Sequence, residues 1–126
     1  MMTENEIAKV VVDCCFKIHT TLGPGLFESV YEKALIYELE KRALNFEQQK
    51  GIPVYYDNMK MEMGFRADII VENKVILELK SQEFLAPVHS KQLLTYLRLT
   101  GLKLGLLINF GEALIKNGIH RIVNNL

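Results

Sequence analysis

The sequence predicts an α/β domain in which a mixed β-sheet is flanked by helices. Two segments with helical periodicity come first and are followed by three β-rich segments that short turns separate, which predicts an antiparallel meander. A further helical segment and an apolar strand then follow, and a strand–helix–strand order implies a right-handed βαβ crossover between parallel strands. The length of 126 residues suits a single domain spanning residues 1–126.

The first helix is predicted from about Glu4 to Leu22. Thr3 and Glu6 match a capping box, in which each side chain accepts from the other residue's backbone N–H. Apolar residues then recur at helical spacing: Ile7, Val11, Cys14, Ile18 and Leu22.

The second helix is predicted from roughly Leu26 to Arg42, after a break at Gly23-Pro24-Gly25. Glu28 opens it, and from the residues alone this carboxylate is explained by the helix dipole. The side chains expected on its apolar face are Phe27, Val30, Ala34 and Leu35.

The meander is predicted from three strands, at 45–56, 61–71 and 75–81. Pro53 cannot donate to a ladder, so the first strand should lie at an edge or contain a bulge. Gly64 marks a second candidate bulge, just ahead of Arg66 and Asp68.

The crossover is predicted from a third helix at 87–100 and a strongly apolar strand at 102–110. Pro87 suits a first helical turn, and Gly101 ends the helix. Residues 111–117 read as a loop or a short helical turn, and 118–123 as a last edge strand.

Charged residues interrupt the second and third strands of the meander. Asp68 lies in one strand and Glu78 and Lys80 in the next, where alternation puts Glu78 and Lys80 on one face and Leu77 and Leu79 on the other. A carboxylate that is buried without a partner costs several kcal/mol. A hard cation between Asp68 and Glu78 would remove that cost, and so would an open sheet face with Lys80 as a salt-bridge partner.

Composition limits the partners of the chain. The formal net charge is zero, which argues against sequence-blind DNA binding driven by overall charge but leaves room for a local basic groove. The positions considered for such a groove are Lys50, Lys60, Arg66, Lys91 and Arg98, with a solvated surface as the alternative. The adjacent Cys14 and Cys15 match no zinc spacing and read as packing residues in a reducing compartment. With no apolar run of membrane-spanning length and an acidic, polar start, a cytoplasmic location without membrane association is expected.

Several motifs resemble one family. Residues 25–31, G-L-F-E-S-V-Y, reproduce a G-x-x-E-x-x-Y signature. G-F-R-A-D-I-I-V, V-I-L-E-L-K, P-V-H-x-x-Q-L-L-x-Y-L and G-L-L-I-N-F follow in order. Over nearly its whole length the chain resembles the GxxExxY family of the PD-(D/E)XK nuclease superfamily, in the RecB-like branch. The resemblance implies a restriction-endonuclease-like fold.

The resemblance also implies a metal site. Asp68 and Glu78 stand at the metal-binding acids, the backbone carbonyl of Leu79 at a further ligand, and Lys80 at the lysine that orients the attacking water. Glu28 stands at a helix glutamate in or near the metal shell. In the family motif these positions bind Mg²⁺ or Mn²⁺.

Two positions on the third helix complete the resemblance, and one position departs from it. Gln92 and Tyr96 reproduce a Q-x-x-x-Y motif that contacts substrate or the groups around the metal. Ala67 stands where the superfamily has proline, which provides no ligand.

The implied function is metal-dependent hydrolysis of nucleic-acid phosphodiesters, with DNA as the expected substrate. Two other classes stay open: a catalytically inactive nuclease-fold module that acts in binding or regulation, and a subunit whose partner provides the substrate surface. A homodimer through an edge strand or the first helix is compatible with the sequence.

Overall fold

A computed structural model describes all residues from 1 to 126, and it contains three α-helices and five strands. The helices and strands follow in the predicted order: α1 (Glu4–Leu22), α2 (Glu28–Lys41), β1 (Phe46–Tyr56), β2 (Met59–Val71), β3 (Val75–Lys80), α3 (Val88–Thr100), β4 (Leu104–Asn109), a 3₁₀ turn (Ile115–Asn117) and β5 (Ile119–Val123). The capping box of α1 is present, with Thr3 and Glu6 bonded as predicted.

The sheet has the order β1-β2-β3-β4-β5. Neighbouring strands are antiparallel except β3 and β4, which are parallel and connected by α3. The meander and the crossover are therefore confirmed, and with them the predicted α/β fold of the restriction-endonuclease-like type.

Helices cover both faces of the sheet. On one face, α1 and α2 enclose the larger core, in which Tyr31 of α2 stacks on Phe110 with ring centroids 4.4 Å apart. On the other face, Leu93 and Leu97 of α3 pack on Ile76 and Leu107. The two central strands β3 and β4 are thereby shielded on both sides, as continuous apolar strands require.

The predicted apolar face of α2 is wrong in part. Phe27 is 82% exposed and Val30 is also exposed, whereas Tyr31, Leu35 and Leu39, at a four-residue spacing, face the core. The helix begins at Glu28 rather than Leu26, so Phe27 precedes it as the N-cap residue. Tyr31 is held inward because its hydroxyl donates to the Gly23 carbonyl (2.6 Å) and accepts from the Leu26 N–H (3.1 Å).

One apolar residue of the first helix is also misplaced. Leu22, the last residue of α1, is exposed. Periodicity places a residue on a helix face but does not show how far along the helix that face is covered.

The β1–β2 hairpin contains the predicted irregularity. β1 is an edge strand, and its register with β2 shifts between Ile52 and Val54, opposite Phe65 and Met61. Pro53 and Gly64 both lie within this shift, which confirms both predictions. A Cβ at Gly64 would overlap the Val54 side chain, so close packing requires glycine there.

Two smaller predictions concern α1 and the helices in general. Cys14 and Cys15 are buried and unpaired, as expected of packing residues. None of the helices combines the length and the hydropathy needed to cross a bilayer.

Candidate active site

The β2–β3 ladder stops just before the two acidic residues of the meander. Its last backbone pair is Ile69 with Leu77. One step further, the Asp68 N–H donates to Oε2 of Glu78 (3.0 Å), and the Leu79 N–H donates to Oδ2 of Asp68 (2.8 Å). The strands separate here, and the two carboxylates occupy the space between them. The structure thus brings together Asp68 and Glu78, as the sequence predicted.

The carboxylate pair is electrostatically strained. Burial, and after it the neighbouring charge of Asp68, raise the pKa of Glu78 from its ordinary 4.5 to about 8. The metal-free pair therefore holds one proton at neutral pH, because two adjacent anions out of water repel each other.

Lys80 does not neutralise this pair. It is half-buried on the same strand face as Glu78, and its charge lowers the pKa of Glu78 only as a minor contribution. No carboxylate oxygen lies within 4.0 Å of its ammonium, since the ion pairs of the structure involve other residues. The salt-bridge explanation for Lys80 is therefore wrong.

Leu79 presents its backbone to the site. Its side chain belongs to the core beneath α1 and α2, while its N–H is bonded to Asp68. In a strand, the N–H and C=O of one residue point to the same side, so the Leu79 carbonyl also points toward Asp68. Leu79 lines the groove described next, as expected for a residue that offers a backbone ligand.

A groove of about 420 Å³ opens beside Asp68, between α2 and the start of β1. Glu28, the first residue of α2, is exposed and forms no hydrogen bond through its side chain. Three acidic residues, four other polar residues and one leucine line the groove: Glu28, Ser29, Glu32, Lys33, Gln48, Gln49, Asp68 and Leu79. Three of the predicted site residues, from three separate segments, therefore meet in one groove.

Sequence analysis missed a polar bridge within this groove. The Gln49 side-chain amide donates to Glu32 (2.9 Å) and reaches Oδ1 of Asp68 at 3.5 Å, and the Gln48 amide also donates to Glu32 (3.2 Å). Gln49 has a φ of +48°, which is unusual for a residue with a side chain. Glu32 lies one turn after Glu28 on the same helix face, and this spacing was the available signal. Nothing local identifies the glutamines.

The two predicted residues of α3 differ in their placement. Tyr96 stacks on Phe65 with ring centroids 3.8 Å apart, and its pKa is raised by burial and then by the charges of Glu78 and Asp68. Tyr96 is therefore part of the electrostatic surroundings of the pair. Gln92 lies one turn earlier, is exposed and has no hydrogen bond to the pair.

The donor set suits a hard divalent cation that keeps several waters. No group of three or more His, Cys, Asp or Glu side chains is arranged to enclose a metal ion. Mg²⁺ is commonly bound by only one or two carboxylates with water, and Asp68 and Glu78 provide two, with the Leu79 carbonyl beside them. The proton that the pair retains marks a place where a cation would relieve the repulsion. The residues present therefore fit such an ion.

The five basic positions considered for a local groove do not line the groove beside Asp68. Lys50 and Lys60 form ion pairs with Glu47 and Glu62, and none of the five positions lines the groove beside Asp68. The cation that does line it is Lys33 of α2.

Comparison with known proteins identifies the family. A family model described as the PD-(D/E)XK nuclease superfamily matches residues 5–122, a span that includes the carboxylate pair and Lys80. No curated protein and no solved structure gave a significant match. The family match supports a nuclease-type function. With its strand order, its paired acids and a match over nearly its whole length, the chain belongs to the PD-(D/E)XK nuclease superfamily.

Proposed function

We propose that this protein hydrolyses phosphodiester bonds in nucleic acid, with DNA as the expected substrate and Mg²⁺ or Mn²⁺ as cofactor. Within the superfamily we assign it to the GxxExxY family and the RecB-like branch, on the signature at residues 25–31 and on the Gln92 and Tyr96 spacing.

The observation that carries the proposal is the half-buried carboxylate pair between β2 and β3. Asp68 and Glu78, with the Leu79 carbonyl, would hold the cation, and the backbone N–H groups of Asp68 and Leu79 fix the orientation of both carboxylates. A bound divalent cation provides Lewis acidity to both the phosphate and the attacking water. Glu28 contributes a further carboxylate from α2 across the groove.

Lys80 and the residues of α3 have supporting roles. Because no carboxylate pairs with it, the Lys80 ammonium is free to orient the attacking water and to stabilise charge that develops on the phosphate. Gln92 and Tyr96 would position the nucleic-acid strand from the α3 side of the sheet.

Calorimetric titration with Mn²⁺ and Mg²⁺ tests the metal site directly. We expect wild type to bind the ion and Asp68→Ala/Glu78→Ala to lose binding. Glu40→Ala is the matched control, since Glu40 is an exposed carboxylate that lies in no groove. No binding by wild type at millimolar metal, with or without nucleic acid present, would refute the proposal.

Lys80→Ala separates a nuclease from an inactive nuclease-fold module. In a nuclease the variant loses cleavage of nucleic acid and keeps Mn²⁺ binding. In a module that acts only in binding or regulation, the variant would leave nucleic-acid binding unchanged, and wild type would show no cleavage to lose.

A further inference from the structure

The two most exposed aromatic rings of the chain lie close in sequence to residues of the candidate active site. Phe27 is 82% exposed and Phe84 is 79% exposed, more than any tyrosine. Phe27 directly precedes Glu28, and Phe84 lies four residues after Lys80. Their loops touch, because the Ser81 hydroxyl donates to the Leu26 carbonyl at 2.6 Å.

Both rings are displayed by loops that are anchored from inside. Leu26, next to Phe27, is bonded through its N–H to the Tyr31 hydroxyl and through its carbonyl to Ser81. In the other loop, the buried Asn109 side chain accepts from the Gln82 N–H (3.0 Å) and donates to the Gln82 carbonyl (2.9 Å). These hydrogen bonds hold both loops in place. The exposure of the two rings is therefore a property of the fold and does not come from loose loops.

The area of the rings fits a small planar ligand better than a protein partner. A phenylalanine buries roughly 150–250 Å² when fully covered, so the two side chains, which are about four-fifths exposed, offer roughly 240–400 Å² together. A stable protein interface needs about 800 Å² from each partner. Nucleobases stack on exposed aromatic side chains in proteins that bind single strands. Bases inside a duplex have both faces covered by their neighbours and are not available to such rings.

We propose that Phe27 and Phe84 form a stacking platform for unpaired nucleobases, so that the substrate enters the groove as a single strand. This inference rests on the proposed nuclease function and specifies its substrate class. DNA and RNA share the stacking chemistry, and the test distinguishes them.

Binding is measured by fluorescence anisotropy in EDTA, so that cleavage is not needed for a result. The probes are a labelled DNA single strand, an RNA strand of the same sequence and the blunt DNA duplex. We expect wild type to bind one or both single strands at least about tenfold more tightly than the duplex. Phe27→Ala/Phe84→Ala should weaken that binding about 10- to 100-fold, which corresponds to the loss of one or two stacked bases.

Matched variants separate stacking from other effects. Phe27→Leu/Phe84→Leu keeps an apolar surface but removes the rings, and should behave like the alanine pair. Tyr37→Ala removes an exposed ring from α2 and should leave binding unchanged. Tyr37 is 62% exposed and lies nine residues from Glu28, on the opposite side of the helix. A 2-aminopurine base in the strand should be quenched by wild type and not by the alanine pair.

The outcomes are distinct from those for the proposed function. Single-strand binding that depends on the rings, without cleavage in Mg²⁺ or Mn²⁺, would support the platform and refute the nuclease. Equal binding of single strand and duplex, or an alanine pair that binds like wild type, would refute the platform even if cleavage occurs. A wild-type dimer that the alanine pair converts to monomer would assign the rings to contact between copies and would also refute it.

Discussion

Replacing Glu78 by glutamine should stabilise the metal-free protein at high pH. In the fold, Glu78 accepts from the Asp68 N–H and lies against the Asp68 carboxylate, and burial raises its pKa to about 8. A glutamine offers the same two interactions as the protonated acid, because its oxygen can accept from the N–H and its amide can donate to the carboxylate. It does so at every pH and never carries the second negative charge.

The size of the effect follows from proton linkage. The pKa of Glu78 is raised from 4.5 to about 8, so the folded state keeps a proton that the unfolded state has released. The stability of wild type therefore falls as pH rises through this window, by about 1.4 kcal/mol per pH unit and roughly 5 kcal/mol at most. At pH 8.5 or above, Glu78→Gln should melt on the order of 10 °C higher than wild type, and near pH 5 the two should melt together.

Calorimetric melts in EDTA between pH 5 and 9 measure this difference. All other ionisable groups are present in both proteins, so their contributions cancel in the comparison. Glu40→Gln is the matched control, since this carboxylate is exposed and its replacement should leave the pH profile unchanged. In millimolar Mg²⁺, wild type should gain stability and Glu78→Gln should not, because a ligand stabilises only the state that binds it.

Two results would refute this reasoning. A Glu78→Gln protein that melts below wild type at high pH would mean that the anionic Glu78 carboxylate stabilises the fold. A difference that does not change with pH would mean that Glu78 is not protonated in the folded protein.

Three further predictions concern the stability of the fold around the Asp68–Glu78 pair. The Gln49→Gly variant should have a free energy of unfolding about 1 kcal/mol higher than that of Gln49→Ala, because alanine keeps a Cβ at a φ of +48°. Urea unfolding of the two variants measures this difference, and equal values would contradict the prediction. Gly111→Ala should cost about 1–3 kcal/mol, because the new Cβ would overlap the backbone of Gln82, and an unchanged midpoint in urea would mean that this loop yields freely. Thr3→Ala should cost about 1 kcal/mol through loss of the cap while Thr3→Ser does not, and Mn²⁺ titration should show the same binding in both.

The order of the helices and strands could be predicted from the sequence because local signals determine it. The capping box begins α1, Pro53 and Gly64 mark the irregular edge hairpin, and the strand–helix–strand order fixes the parallel pair. Such signals involve only a few neighbouring residues, so a single amino-acid sequence is enough to recognise them.

The face of α2 and the polar bridge depend on distant contacts. Phe27 and Val30 have the same apolar character as the residues that do face the core. What decides between them is the Tyr31 hydroxyl, which bonds to the loop that precedes the helix. Likewise, Gln49 meets Glu32 and Asp68 only because β1 folds back along β2. No spacing within one segment encodes such a meeting.

The carboxylate pair lies where the β2–β3 ladder ends, and the end of the ladder explains why two acids are placed together. Where the ladder stops, two backbone N–H groups, of Asp68 and Leu79, would be left unpaired, and burying them so is costly. The carboxylates of Glu78 and Asp68 satisfy them, and these hydrogen bonds in turn offset part of the cost of burying the acids. What remains is the repulsion between the two charges. Lys80 could have removed it with a salt bridge, but its ammonium makes none. The fold therefore leaves one negative charge that a proton balances in the metal-free protein and that a divalent cation would balance under the proposed function.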